Sequence, residues 1–137
     1  MKRLEQRERR QLYAALALTV LASVLLAPSF TPRGGYGDVT VQEARRLIED
    51  KPGLVILDVR TASEYEEGHI EGAVNIPVQE LSVRFDELSI DDELLVYCRT
   101  GNRSAQAVDV LLDLGFTKIH HMNEGITGWT EAGYPVV

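Results

Sequence analysis

From residue 38 onward, short runs of apolar residues alternate with amphipathic stretches of helical period. Uninterrupted apolar runs of strand length are typical of strands that are buried on both faces of a parallel sheet. The runs that we predict as strands are residues 54–57, 73–76, 94–97 and 118–122. Because strands that alternate with helices form parallel sheets, the pattern predicts an α/β fold, with a parallel central sheet and helices on both faces.

Capping residues mark where the amphipathic stretches begin. Thr40 and Glu43 have the spacing of a capping box, which predicts a helix start at this point. Ser63 with Glu66 predicts the start of a second helix. Further helices are predicted after residue 80, over residues 104–114 and around Trp129. The first predicted helix precedes the first predicted strand, and the others fall between the predicted strands or after the last of them, in the alternation that the crossovers of a parallel sheet require.

The length and the charge of the chain limit the classes of protein to which it can belong. With 137 residues, it has room for one ordinary domain. The first 35 residues hold six of the 14 basic side chains and two of the 21 acidic ones, so the rest of the chain is strongly acidic. Because an acidic domain repels phosphate backbones, nucleic acid is excluded as a partner.

Cysteine and histidine are too few and too scattered for a disulfide framework or a metal centre. The single cysteine, Cys98, has no intrachain disulfide partner, and no group of Cys and His has the spacing of a zinc site. His120 and His121 are adjacent on a predicted strand, so their side chains point to opposite faces of the sheet and do not suit one metal ion. We therefore predict a domain with no metal and no cofactor.

The amino-terminal region combines a basic segment with an apolar one. Residues 1–11 are rich in arginine, and residues 12–27 contain no charge, glycine or proline. Because a helix that is apolar on all sides needs lipid around it, we predict one N-terminal hydrophobic helix over residues 12–30, serving as a transmembrane anchor or a signal segment. Residues 31–38 are then a flexible linker, and residues 39–137 are the folded domain.

The two membrane interpretations differ in the fate of residues 12–30. An uncleaved anchor keeps its basic end in the cytoplasm, whereas a signal peptide is removed after export. The sequence Ala27-Pro28-Ser29 is a poor cleavage site because of its proline, which favours the anchor. Both interpretations place the domain outside the cytoplasm: held at the membrane by the anchor, or secreted or periplasmic after signal cleavage.

Cys98 follows directly on the predicted strand 94–97, at the strand end where ligands bind in α/β sheets. The loop CRTGNRS then leads into the predicted helix 104–114. Its amides can form an anion-binding nest, to which the helix dipole, Arg99 and Arg103 add positive potential. Because such surroundings stabilise a thiolate, Cys98 is a candidate nucleophile; the alternative is a buried structural cysteine.

The loop CRTGNRS resembles the active-site loop of the rhodanese family of sulfurtransferases. Three further motifs resemble family signatures and occur in the family's order, at residues 57–65, 68–77 and 125–136. Together the four motifs extend over most of residues 39–137. One departure is Ile126, where the family more often has glycine. The resemblance implies a single rhodanese-like domain of the thiosulfate sulfurtransferase type, preceded here by the membrane or signal segment.

The resemblance also implies a sulfur transfer in two steps. The thiolate of Cys98 attacks the outer sulfur of thiosulfate or a related donor, sulfite leaves, and a thiol or cyanide acceptor takes the sulfur from the resulting persulfide. The predicted substrate-binding residues belong to the loop and to the end of a neighbouring strand: Arg99, Thr100, Gly101, Asn102, Arg103, Ser104 and Arg60. For Arg60, an ion pair with Asp58 is the alternative. The predicted partners are a small sulfur donor, a thiol acceptor that can be a protein, and the membrane.

Other functions on the same fold stay open from the sequence. A persulfide carrier would hand its sulfur to a partner protein, and a non-catalytic or redox-sensing module would bind partners or report the oxidation of Cys98. A cysteine phosphatase needs one more residue between its cysteine and its arginine than Cys98 and Arg103 have. The length of the loop therefore argues against phosphate chemistry.

Overall fold

The computed structural model describes residues 35–137; the predicted segments 1–11 and 12–30 lie outside the described residues. The strands of the described part are β1 (Tyr36–Val39), β2 (Val55–Asp58), β3 (Val74–Asn75), β4 (Leu94–Tyr97) and β5 (Ile119–Met122). They form one sheet in the order β1-β5-β4-β2-β3, and every neighbouring pair is parallel. The predicted α/β fold with a parallel central sheet is confirmed.

Helices connect the strands and pack on the sheet. They are α1 (Val41–Asp50), α2 (Ala62–Glu67), α3 (Leu81–Arg84), α4 (Asn102–Asp113) and α5 (Gly125–Glu131), with short 3-10 turns at Val78–Glu80 and Phe85–Glu87. Among these helices of residues 35–137, none is long and apolar enough to cross a membrane. The helix predicted over residues 104–114 begins two residues early, because Gly101 adopts the left-handed conformation and serves as its N-cap.

Two capping boxes fix the starts of α1 and α2. The Thr40 hydroxyl accepts from the Glu43 amide at 3.2 Å, and the Glu43 carboxylate accepts from the Thr40 amide at 2.8 Å, as the sequence predicts. The second box consists of Thr61 and Glu64, not of Ser63 and Glu66. Since Thr61 has the same reciprocal hydrogen bonds available two residues earlier, α2 begins there.

The prediction of a linker over residues 31–38 is wrong for residues 36–38, which belong to β1. This strand pairs in parallel with β5 and forms one edge of the sheet. Its residues are exposed apart from Val39, which is half-buried. An edge strand of this kind lacks the apolar run by which the buried strands are predicted, so only the backbone pairing with β5 reveals it.

The two faces of the sheet carry separate apolar clusters, and β4 contributes to both. Leu94, Val96 and Cys98 pack in one cluster together with the buried side of α4. Leu95 and Tyr97 pack in the other cluster, with Trp129 of α5. Because side chains alternate along a strand, Cys98 continues the α4-facing row at the point where β4 ends. The core thus aims the thiol at the first turn of α4.

Candidate active site

The thiol of Cys98 lies inside the loop that joins β4 to α4. The Gly101 amide donates to its sulfur over 3.1 Å, and the Ser104 hydroxyl lies 3.3 Å from it. Burial acts to raise the pKa of Cys98, but the Ser104 hydroxyl and the amides of Ser104, Gly101 and Thr100 outweigh it, so the thiol pKa is lowered. The geometry therefore favours a thiolate through neutral hydrogen-bond donors.

Cys98 is only 1% exposed. Its hydrogen bonds are thus shielded from water, which strengthens them, and the sulfur can be reached only by a narrow group. The terminal sulfur of a small donor meets this requirement better than a bulky electrophile does. A purely structural cysteine would be buried in the same way. This site differs from that alternative because an amide and a hydroxyl group point toward the sulfur.

Two glycines allow the loop to lie directly on the connection between β5 and α5. A Cβ atom at Gly101 would overlap the carbonyl oxygen of Asn123, and one at Gly125 would overlap the Arg99 carbonyl. In return, the Ile126 amide donates to the Cys98 carbonyl at 2.9 Å. No non-glycine residue of the described part has a positive φ, so Ile126, where the resemblance predicts glycine, causes no backbone strain.

Arg103 is bound to α2 by a bidentate ion pair. Its two terminal nitrogens lie 2.6 and 2.8 Å from the carboxylate oxygens of Glu64. The hydrogen bond from Arg103, with further ones from the Thr61 backbone and hydroxyl, lowers the pKa of Glu64 to about 2 against the opposing effect of burial. The guanidinium that the sequence predicts to bind substrate therefore also ties the start of α4 to α2.

The Arg103–Glu64 pair makes stability depend on pH. Because the carboxyl pKa is lower in the folded chain, its contribution is fully present above about pH 4.5 and is lost as the pH falls toward 2. The two side chains are 29% and 26% exposed, so solvent reduces the roughly 3 kcal/mol that such a shift represents. We expect Glu64→Gln to lower the free energy of unfolding by about 1–2 kcal/mol at neutral pH.

Denaturant unfolding of the wild type and of Glu64→Gln at several pH values measures this contribution. The difference between the two proteins should shrink as the pH falls from 4.5 toward 2, because the Glu64 carboxyl takes up its proton first in the unfolded and then in the folded wild type. Glu87→Gln is the matched control, because Glu87 pairs with Arg84 on the surface, away from the loop. A difference between wild type and Glu64→Gln that stays constant with pH would contradict the assignment.

The other two arginines occupy different environments beside the loop. Arg60 is buried, and its Nη2 atom lies 2.6 Å from Asp58 and 2.7 Å from the carbonyl of Gly68. Arg99 is exposed. Both line a cavity of about 390 Å³ together with Thr127 and others. Arg60 thus forms the ion pair with Asp58 that the sequence predicts as the alternative to substrate binding. Arg99 is the exposed arginine at the loop.

A line of polar side chains leads away from Cys98, and sequence reasoning missed it. Ser104, predicted only as a loop donor, lies 2.7 Å from the Nε2 atom of His121, whose Nδ1 atom lies 2.9 Å from Asp38. His120 points to the opposite face, as predicted, and contacts Glu93 at 2.7 Å. In residues 35–137 no group of metal-ligating side chains forms a metal site. The register between β1 and β5 would have indicated this line, because it makes Asp38 and His121 direct partners.

Comparison with known protein families places this geometry in context. The family model described as the rhodanese-like domain matches residues 40–132. This match includes the whole loop that joins β4 to α4, and it includes the residues of β5 and α5 on which the loop packs. Among solved structures, a rhodanese-related protein from Thermoplasma volcanium has 37% sequence identity and a TM-score of 0.65, covering 74% of this chain and 98% of its own.

Curated relatives carry names that refer to sulfur transfer. YrkF of Bacillus subtilis, named as a proposed sulfur carrier protein, is 34% identical over 93 residues, which are 68% of this chain and 50% of YrkF. A sulfurtransferase of Allochromatium vinosum is 28% identical over 73% of this chain and 94% of its own length. Thiosulfate sulfurtransferase PspE of Escherichia coli is 36% identical over 47% of this chain and 64% of PspE. The chain therefore spans about half of YrkF and under two thirds of PspE.

Proposed function

This chain belongs to the rhodanese-like domain family, and on that basis we propose that it transfers sulfane sulfur through a persulfide on Cys98. The donor in this proposal is thiosulfate or a related small molecule, and the acceptor is a thiol or cyanide. The observation that carries the proposal is the environment of the Cys98 sulfur, which receives the Gly101 amide and contacts the Ser104 hydroxyl. Both groups stabilise a sulfur anion.

The chemistry balances with the residues present. The Cys98 thiolate attacks the outer sulfur of thiosulfate, the S–S bond of the donor breaks, and sulfite leaves with the electron pair. The acceptor then attacks the outer sulfur of the persulfide and restores the thiolate. Because the chain has one cysteine, no second thiol of its own can resolve the persulfide, and the acceptor must be external.

Arg99 is the residue that we assign to donor attraction. It is exposed at the loop, whereas Arg103 is held by Glu64 and Arg60 by Asp58. A guanidinium a few ångströms from a dianion contributes about 1–2 kcal/mol in a solvated site. We therefore expect Arg99→Ala to raise the KM for thiosulfate about tenfold and to weaken its dependence on salt, with a smaller change in kcat.

Steady-state kinetics at two ionic strengths test the role of Arg99. Arg46→Ala is the matched control, because Arg46 is an exposed arginine on α1 and its loss changes the net charge equally. An Arg46→Ala protein with the same rise in KM would show that only overall charge matters. An unchanged KM in Arg99→Ala would remove this residue from donor binding.

Enzyme and carrier share the persulfide and differ in what discharges it. An enzyme turns over thiosulfate with a small acceptor, whereas a carrier takes sulfur from, or gives it to, another protein. Turnover on thiosulfate and cyanide, compared with transfer from a persulfide-bearing protein under the same conditions, separates the two. Rapid turnover on the small molecules supports the enzyme that we propose; transfer confined to the protein partner supports the carrier.

We also propose that residues 12–30 place the domain outside the cytoplasm, as an uncleaved anchor. The support is the charge-free run 12–27 behind a basic segment. The mass of the protein recovered from cells, together with its resistance to extraction by alkaline carbonate, tests this placement. A shortened chain in the soluble fraction would support the signal peptide, and a full-length chain released by carbonate would overturn both.

A further inference from the structure

Four side chains form a continuous line of hydrogen bonds from the interior of the loop to the edge of the sheet. In order they are Cys98, Ser104, His121 and Asp38, and we refer to them as the polar chain. The successive separations are 3.3 Å from sulfur to hydroxyl, 2.7 Å from hydroxyl to Nε2 and 2.9 Å from Nδ1 to the carboxylate. Two strands, one helix and the loop after β4 contribute to it, so the fold assembles the line.

The polar chain begins in the core and ends in solvent. Ser104 is 0% and His121 3% exposed, whereas the Asp38 side chain is 53% exposed. Buried polar groups that are linked in this way are costly unless every member has a partner, and in the described residues no buried side-chain nitrogen or oxygen lacks one. The line thus connects the reacting sulfur to a group from which a proton can exchange with water.

The carboxylate at the outer end fixes one proton on the imidazole. The hydrogen bonds from His121 and from the Tyr36 hydroxyl lower the pKa of Asp38, so it is ionised at neutral pH and accepts from Nδ1. Other groups on this side of the sheet are Asn123, which lies beside Asp38, and Asp109, which faces Tyr36. With Nδ1 protonated, only the Nε2 atom of His121 is left to gain or lose a proton.

The hydroxyl of Ser104 links the protonation of Nε2 to that of the thiol. When Cys98 is a thiol, its S–H donates to the hydroxyl and the hydroxyl donates to Nε2. When Cys98 is a thiolate, the hydroxyl donates to sulfur and must accept from a protonated Nε2. Each hydroxyl orientation satisfies the whole line in one of the two states, so the thiolate and the imidazolium stabilise each other across Ser104.

We propose that the polar chain is a proton relay, in which Ser104 and His121 remove the proton of the Cys98 thiol toward Asp38. The S–H bond breaks, its proton passes to the Ser104 oxygen, and the hydroxyl proton passes to Nε2; sulfur keeps the electron pair and no electrons are exchanged. Ser104 contacts the reacting sulfur and is a catalytic residue, whereas His121 acts through it as a positioning residue. The use of the thiolate rests on the proposed sulfur transfer; the relay itself does not.

A purely structural role for Ser104 is the competing explanation. Its hydroxyl also lies 3.1 Å from the carbonyl of Gly101, which is a usual contact for a serine in the first turn of a helix. In that case the hydroxyl would hold the loop and the imidazole would only fill a polar site. Glutamine at position 121 separates the two roles, because its amide can bond to Ser104 but cannot take up a proton.

The test is the ultraviolet absorbance of the thiolate as a function of pH, with the full chain and with Cys98→Ser as the baseline. We expect His121→Gln and Ser104→Ala to move the midpoint of thiol ionisation upward by about one pH unit, a tenfold change in the ionisation constant. Asp38→Asn, an exposed and conservative change, should shift it in the same direction. His120→Gln, on the opposite face, should leave it unchanged.

Each outcome of this titration decides the relay without an activity assay. Midpoints of His121→Gln and Asp38→Asn that equal the wild-type value overturn it, whatever happens to sulfur transfer. Shifted midpoints in a protein that cannot load sulfur would uphold the relay and refute the proposed function. Should His121→Gln fail to fold, the exposed Asp38→Asn variant still gives the answer, because its change lies on the sheet edge.

Discussion

A Cys98→Ser protein is expected to lose sulfur transfer, with a fall in turnover on the order of a thousandfold or more. The serine hydroxyl is not ionised at neutral pH, and an oxygen in place of sulfur cannot form a persulfide. The chain has no other cysteine that could take over. Turnover on thiosulfate with cyanide, measured alongside the wild type in one preparation, gives the ratio directly.

The same substitution should leave the fold intact, which makes the loss of activity interpretable. A serine oxygen can still accept from the Gly101 amide and contact Ser104, so the buried position keeps its hydrogen bonds. Circular dichroism and thermal unfolding check the fold. Measurable sulfur transfer by a folded Cys98→Ser protein would show that the persulfide does not form on this residue.

Gly125→Ala should be strongly damaging to both the stability and the activity of the domain. Gly125 has a φ of 64°, and a Cβ atom there would overlap the Arg99 carbonyl and the Thr100 amide. Because these are backbone atoms, no side-chain rotation relieves the overlap, and the loop around Cys98 must move. We expect a loss of about 3–5 kcal/mol in the free energy of unfolding, with a strongly reduced rate of sulfur transfer.

Gly133→Ala is the control that separates backbone strain from overlap. Gly133 has a φ of 80°, and no atom lies within 4 Å of the Cβ that an alanine would add. Left-handed strain alone costs about 1–2 kcal/mol, so Gly133→Ala should lose that much stability and keep its activity. Equal losses in the two variants, measured by denaturant unfolding, would refute the close packing of the loop on the β5–α5 connection.

The sequence reveals the buried part of the fold because burial leaves a local trace. β4 is predicted with the bounds that the structure has, since all four of its residues are buried and apolar. β1 leaves no such trace, because an exposed edge strand is specified by its pairing with β5. The start of α2 is misplaced by two residues because Thr61 and Ser63 offer the same capping chemistry. Local patterns thus identify the core and the start of α1, but they miss the edge strand and misplace the start of α2.

In the candidate site, too, local features can be predicted from the sequence and long-range contacts cannot. The position of Cys98 at a strand end follows from chain order, whereas the partners of the arginines depend on tertiary contacts. Arg99 and Arg103 are alike in sequence, and only the fold brings Glu64, 39 residues away, to Arg103. The polar chain cannot be predicted from the sequence for the same reason, since Asp38 and His121 are 83 residues apart. Long-range contacts decide which charges stay available to a substrate.

Mass spectrometry of the peptide that contains Cys98, after treatment with thiosulfate, tests the persulfide most directly. A persulfide on Cys98 predicts one added sulfur atom on this peptide, removed when cyanide is supplied, and none on the same peptide from Cys98→Ser. A fully folded wild-type protein whose Cys98 peptide gains no sulfur from thiosulfate or from any persulfide donor would contradict it.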